Sequence, residues 1–413
     1  MDDSTFALSI SVVGAGIAGL TVATALRRNG HLVQIFETAE VKTEIGAAIS
    51  VPSNALRVLD HLGVSRENLK GVPYLGNTLF DAESGESTTL HWLTPGANES
   101  IFCHRSDLYE ELKRLAIGEG EGPPAKLRLG TKVMACDPEE GTIMLHDGEV
   151  VHADLVLGAD GIHSIIRTHI IGRVQKALDS GLSCFRAVYE ADTRQDIPEL
   201  QWLTAGVCGA RSVRGRGDSF RMFFIYPCRS GTLVNFIGYY ADSEGAARAW
   251  TPNASREDII AEFGDFNPKF LRILDLPIHN ESHRWKLRVL PQLPTWIRGR
   301  AALLGDAAHA TLPLLGQGAA MAIEEAGSLG CLFPAGTRRE DISARFEAYQ
   351  NLRKGRGEFV ETESLEQMSN IQHGRPAFFN SLEMQSNLLE YDAIEAAHQC
   401  FNERFGDKSG SQY

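Results

Sequence analysis

"LSISVVGAGIAGLTVATALRRNGHLVQIFE", residues 8–37, reads as a complete βαβ unit. The apolar, β-branched run before Gly14 predicts a buried strand. Leu20, Ala23 and Leu26 recur at helical spacing, Asn29-Gly30 supplies a stop, and the chain resumes as a second strand ending at Glu37. Between the first strand and the helix, Gly14, Gly16 and Gly19 match G-x-G-x-x-G in the context that gives the pattern its meaning. Gly14 permits the turn, Gly16 lets a pyrophosphate approach the positive helix start, and Gly19 lets helix and strand pack closely. Glu37 is placed to accept hydrogen bonds from an adenosine ribose. The stretch predicts a dinucleotide site and does not by itself distinguish NAD from FAD.

Around it lie 413 residues with 43% hydrophobic and 23% charged side chains and a formal charge of -13. That length fits two intimately joined domains. The negative charge repels phosphate backbones and acidic headgroups, so nucleic acid and membrane surfaces are poor partners and a small molecule is the default. No run approaches the roughly 20 apolar residues of a membrane span. The acidic start, Met1 to Thr5, leaves no room for a secretion signal, and a soluble intracellular protein is expected. Seven cysteines without a CxxC pair predict reduced buried thiols and no metal site. The sequons at Asn98, Asn253 and Asn280 then read as chance.

Further along, "NALRVLDHLGV" and "RSDLYEELKRLAI" predict helices, and "ADLVLGADG" a buried strand ending at Asp160-Gly161. From about 180 to 290 the aromatic and β-branched texture of "LSCFRAVYEAD", "FRMFFIYPC", "TLVNFIGYYA" and "HRWKLRVL" predicts an antiparallel sheet. "RAALLGD" returns to a parallel-type strand, and helices follow almost to the end. The predicted fold class is α/β: a doubly wound, Rossmann-like dinucleotide domain interrupted by an antiparallel substrate sheet and closed by C-terminal helices. The expected divisions are 1–175 for the first part of the dinucleotide domain, 176–290 for the β-rich substrate domain, 291–335 for the return segment and 336–413 for the helical region. "GEGEGPP" and the tail "DKSGSQY" read as flexible, and the amphipathic last helices leave a homodimer open.

The segment "GDAAHATLPLLGQGAAMAIEEA", residues 305–326, points to FAD. A flavin held by its ADP half near the amino terminus still needs its ribityl chain and ring gripped. Asp306, after a buried strand, can bond sugar-chain hydroxyls. The free N–H groups of a helix beginning between Gly316 and Ala320, Gly318 and Ala319 among them, can face the ring and stabilise charge on its reduced form.

On "GAGIAGL" with Glu37, "GAAISVPSNALRVLDHLG", Arg105 in "CHRSDL", "GADGIHSIIR" and "LLGDAAHATLPLLGQGAAMAIEEA", the chain resembles the FAD-dependent aromatic monooxygenases of the para-hydroxybenzoate hydroxylase and salicylate hydroxylase type. The resemblance implies that Arg105 contacts FAD, that Ala48 lies along the cofactor by its backbone, that Asp160 lies near FAD and affects nicotinamide use, and that Asp306 contacts the ribityl chain. It also implies that NAD(P)H reduces tightly bound FAD, that O₂ adds at C4a, and that the resulting hydroperoxide delivers oxygen to an electron-rich aromatic ring. Ala320 stands where the family commonly has Asn, which removes a polar side chain beside the flavin.

With one dinucleotide fingerprint, NAD(P)H is expected to bind transiently. Arg211, Arg214 and Arg216 in "ARSVRGRGD" read either as its phosphate contacts or as a solvated hairpin. Arg186 and Tyr226, on strands facing the cavity, can bond a phenolate or carbonyl oxygen. They resemble positions that some fungal members use for substrate orientation and deprotonation. An interstrand arginine and a core tyrosine are the plainer reading. His309 is expected to pack or hydrogen-bond on the flavin side. An FAD oxidase or dehydrogenase, and a non-redox binding protein with the same glycine turn, are the alternatives.

Overall fold

The computed structural model describes residues 6–40, 47–94, 96–217, 219–242, 253–279, 281–372 and 381–406. Asn280 and the tail 407–413 lie outside the described residues. Within them the βαβ unit forms as read: strand Ser9–Val13, helix Ile17–Arg28 and strand Leu32–Phe36, the two strands pairing in parallel.

These strands sit inside a six-stranded sheet. Its order is Ile297–Arg298, Ala301–Leu303, Leu155–Gly158, Ser9–Val13, Leu32–Phe36 and Lys126–Arg128. Every pairing is parallel except that of the two-residue edge strand Ile297–Arg298. Strands buried on both faces need near-continuous apolar residues, and "LVLG" and "AAL" are fully buried. Ala301–Leu303 pairs beside Leu155–Gly158, so the chain returns to the first sheet after the insert. Helix Gly318–Leu332 packs on helix Ile17–Arg28 so closely that a Cβ at Gly330 would lie 2.9 Å from the Ala25 Cβ.

The second sheet has seven strands: His283–Val289, Leu178–Glu190, Leu233–Ala241, Arg221–Cys228, Ala210–Arg214, Gly76–Asp81 and Ser87–His91. It is antiparallel except where Ala210–Arg214 meets Gly76–Asp81. Its last two strands come from well before residue 176, so the insert does not build the sheet alone. Neither "GNTLFD" nor "STTLH" carries a long apolar run; long-range pairing decides their place. Alternation divides the sheet into two faces. Phe185, Phe223 and Phe236 pack under Ile259 and Phe263 of helix Arg256–Phe263. The opposite face, with Cys184, Tyr226, Ile237 and Tyr239, packs against Phe102 and Leu312 of the first domain.

Two expectations change here. "GEGEGPP" is not a loose loop: buried Arg27 donates to the carbonyls of Leu115, Gly118, Gly122 and Pro123 at 2.7–3.1 Å. The last helix, Ala393–Phe405, uses its apolar side inside the chain, burying Ala393 and Ala397 and placing Phe401 and Phe405 under the Arg345 guanidinium. No helix among the described residues is long and apolar enough to cross a membrane.

Candidate active site

Phe36, Val13, Gly158 and Leu303 stand side by side in register on four adjacent parallel strands. Just beyond their carboxyl ends come Glu37, Gly14, Asp160 and Asp306. Three sequence motifs separated by well over a hundred residues thus open onto one edge of the sheet, where α/β folds bind ligands.

The glycines have distinct reasons. Gly14 has φ +101°, and a Cβ there would lie 2.3 Å from the Ala159 carbonyl oxygen. A Cβ at Gly19 would lie 1.9 Å from the Gly14 carbonyl oxygen, so only glycine lets the helix approach the turn. Gly16 faces open space and ends a helix start that no side chain caps, which leaves backbone N–H groups for an anion. The Glu37 carboxylate accepts from the Ala15 and Ala39 amides at 2.8 and 3.1 Å and shapes this turn itself.

Asp306 is exposed and has no hydrogen bond or ion pair among the described residues, although it follows a buried strand. A Cβ on the preceding Gly305 would come within 3.0 Å of Ala18 in the glycine helix, so the two halves of the expected site touch. Helix Gly318–Leu332 starts without a side-chain cap. Gly318 faces open space, Ala319 is half-buried, and the amide nitrogen of buried Gln317 lacks a partner. Ala320 instead points into the core, so the expected gap in polar contacts beside a flavin does not arise at its side chain. Asp160 accepts from the Ser164 hydroxyl and the Ile165 and Ile166 amides, capping helix Ile165–Ile171. Burial pushes its carboxyl up against those bonds.

Arg105 opens helix Arg105–Ile117, and its amide donates to Ala47. The next pair along that ladder, Ala48 opposite His104, turns its polar groups outward to the second sheet. There the Ala48 amide donates to Asn235 Oδ1 at 3.0 Å, and its carbonyl accepts from the Tyr226 hydroxyl at 2.9 Å. Tyr226 and Asn235 are themselves cross-strand partners. This revises two expectations. The Ala48 N–H is engaged by Asn235, so what its backbone can offer a cofactor is its position rather than that donor. The Tyr226 hydroxyl is bound to a backbone carbonyl, and burial pushes its pKa far up, so it stays protonated at neutral pH. Its ring stacks on Phe102 with centroids 4.1 Å apart.

Arg186 shares this sheet face, opposite Ile237, with its guanidinium 5.9 Å over the Trp285 ring. Its Nε is buried and unpaired, and no carboxylate among the described residues forms an ion pair with it. Phe224 and Met222 lie half-buried on the same face. The phosphate reading of "ARSVRGRGD" fails for two of its arginines. Arg211 is buried and donates to the carbonyls of Trp202, Ala205 and Ala210, while Arg216 pairs with Asp81 and Glu83. His309 is buried against Trp296 and bonds Glu325 at 2.6 Å.

Sequence reasoning passed over Asn54, Asn235, Gln317, Glu324 and Glu325. The signal for the last two was present: adjacent acids in an otherwise apolar helix must find partners.

This arrangement fits FAD. Open space lies over Gly16, Gly161 and Gly318, an exposed acid waits at Asp306, and a buried donor at Gln317 lacks an acceptor. A family model described as FAD binding domain matches residues 7–364. Hispidin-3-hydroxylase of Neonothopanus nambi is 39% identical over 93% of this chain and 94% of its own. The FAD-dependent monooxygenase cfoG of Aspergillus candidus is 33% identical over 95% and 94%. The structure of CtdE with FAD and substrate shares the fold, with a TM-score of 0.80 over 96% of this chain and 98% of that one at 23% identity. These matches set aside the non-redox alternative, and the chain belongs to the FAD-binding-domain family as an FAD-dependent aromatic monooxygenase.

Proposed function

We propose that this enzyme hydroxylates a ring already bearing an ionisable hydroxyl, held between the seven-stranded sheet and the FAD ring, with Arg186 on the ring oxygen. The balance is one ring C–H, O₂, NAD(P)H and a proton giving one C–OH, water and NAD(P)⁺. Bound FAD supplies the hydride acceptor and the oxygen-activating ring. The chain does the rest. Gly14 to Gly19 and Glu37 receive the ADP half; Asp306 takes the ribityl chain; Arg105 and the Asp160 turn border the cofactor. The N–H groups at Gly318 and Ala319 offset negative charge on the reduced ring.

The observation that carries the substrate reading is the uncompensated Arg186 on an otherwise aromatic and aliphatic face. A half-buried cation without a counterion is stabilised by an anionic ligand, and an ionised hydroxyl is also what makes a ring electron-rich. Phe224, Met222 and Ile237 keep water from the reacting carbon. Tyr226 and Asn235 set the distance between sheet and cofactor strand.

The test is a panel of phenols and hydroxylated heteroaromatics under ¹⁸O₂, following NAD(P)H oxidation and product mass. One ¹⁸O per product supports the reading. Oxidised product without ¹⁸O identifies an oxidase or dehydrogenase, and equal turnover of O-methylated analogues removes the ionised-hydroxyl requirement.

A further inference from the structure

Helix Gly318–Leu332 is apolar except for a few residues, among which Glu324 and Glu325 are adjacent and both 0% exposed. Neighbours on a helix point about 100° apart, and these two reach in different directions. Glu325 accepts from the Gly305 amide at 2.7 Å with one oxygen and bonds His309 Nε2 at 2.6 Å with the other. Gly305 has φ +61° and ψ -145°, a backbone state that side-chain-bearing residues rarely adopt. Glu324 is bound by Arg353 and Arg356, and its Oε1 accepts from Asn54 Nδ2 at 2.6 Å. The same Asn54 nitrogen donates to Gln317 Oε1 at 3.0 Å. One acid therefore meets the first residue of segment 305–317, and the other reaches its last residue through a single amide.

Stability alone does not account for this. A buried ion pair roughly breaks even against an apolar replacement, so two buried acids in an apolar helix add little net folding energy. Each, however, ends on the backbone or side chain that sets where the segment begins or stops.

We propose that Glu324 and Glu325 are positioning residues for the cofactor: from one buried helix they hold both ends of segment 305–317. The inference rests on the reading above that the ribityl chain and ring of FAD lie along this segment. Glu325 fixes the turn that presents Asp306 outward. Glu324, through Asn54, fixes Gln317 at the start of the helix whose N–H groups face the ring. His309, packed on Trp296, anchors the short turn behind Asp306.

The experiment compares holoenzymes of Glu325→Gln and Asn54→Ala with wild type. Glu324 itself is left intact, because removing it would strand buried Arg353. Hydrogen exchange is read along the segment, and FAD release on dilution is followed by flavin fluorescence. Glu325→Gln should raise exchange at 305–309 and Asn54→Ala at 315–319. Each should speed FAD release at least about tenfold, the effect of losing one hydrogen bond to a charged group or an equivalent buried amide bond. Exchange confined to wild-type values, or raised uniformly along the chain with a lower urea midpoint, overturns the proposal. Asp306→Ala separates the two readings. If it speeds FAD release while the other variants raise exchange without affecting release, the positioning role falls and the site stands. If Asp306→Ala also leaves release unchanged, the site reading falls.

Discussion

Replacing Tyr226 by Phe distinguishes a residue that orders the fold from one that handles a substrate proton. The hydroxyl donates to the Ala48 carbonyl at 2.9 Å, and the ring is 4% exposed against Phe102. Phenylalanine keeps the stacking and removes one oxygen. The Ala48 carbonyl then lacks its donor and cannot turn back to its own ladder, where the bond from the Arg105 amide belongs to Ala47. Leaving one such acceptor unsatisfied costs about 1–3 kcal/mol. The urea midpoint should fall by the equivalent of that energy with the slope unchanged. The second sheet would then hold the strand at Ala48 through the Asn235 bond and apolar packing without the Tyr226 bond, so the ratio of product to NAD(P)H oxidised should drop as peroxide rises. Because burial keeps Tyr226 protonated, both limbs of the pH–rate profile should persist. A fall in kcat of more than about a hundredfold at unchanged stability, with loss of one limb, would correspond to about 2.7 kcal/mol of lost transition-state stabilisation. That result refutes the positioning reading and restores Tyr226 to proton transfer.

Arg186→Ala should keep its FAD and raise KM for ionised substrates by at least about tenfold, with Arg186→Lys recovering part of the loss; steady-state kinetics on a phenol and its methyl ether show whether the effect follows charge. Arg27→Met should destabilise the chain by at least about 2 kcal/mol, since a charged donor serving carbonyls contributes about 1.5–3 kcal/mol per bond, and proteolysis should open at 118–124. Two buried groups beneath the Asp306 turn give a pH dependence. Burial pushes Glu361 up to about 7, against the charge of His309. Burial pulls His309 down, but Glu325 outweighs it and the net shift is upward. Both bind protons more tightly folded than unfolded. Their contribution is therefore complete at low pH and falls as pH rises, through about 4.5 to 7 for Glu361 and above 6.5 for His309. Urea titrations should show wild type losing stability relative to Glu361→Gln across the first window and relative to His309→Gln across the second. Wild type gaining stability relative to either variant as pH rises contradicts the sign.

Much of the fold is legible because it is written in local patterns. Strand Ser9–Val13, the glycine turn and helix Ile17–Arg28 follow from apolar runs and a glycine spacing that backbone geometry demands. The return strand is legible for the same reason: "AALL" reads as a strand buried on both faces, and Gly305-Asp306 marks its end. The place of Gly76–Asp81 and Ser87–His91 is not legible, because their sheet neighbour, Ala210–Arg214, arrives more than a hundred residues later. Nothing in a six-residue strand says which edge it will join.

The remaining corrections share one physical cause. Tyr226 bonds Ala48 across 178 residues, Arg27 bonds Gly122 across 95, and Arg211 turns into its own loop instead of outward. In each case the residue type announces that it has donors to place, and the pattern around it says whether it is buried. Neither reveals which backbone group receives the bond, since any carbonyl satisfies the same requirement. Polar residues on buried strands are thus ambiguous between chemistry and scaffolding until the partner is seen. A hydroxyl that meets a backbone carbonyl, as Tyr226 does, belongs to the scaffold. A half-buried guanidinium whose Nε is unpaired and that has no carboxylate partner among the described residues, as at Arg186, leaves a charge that an anionic ligand would stabilise. That asymmetry, not residue type, is why the proposed substrate role is given to Arg186 and a positioning role to Tyr226.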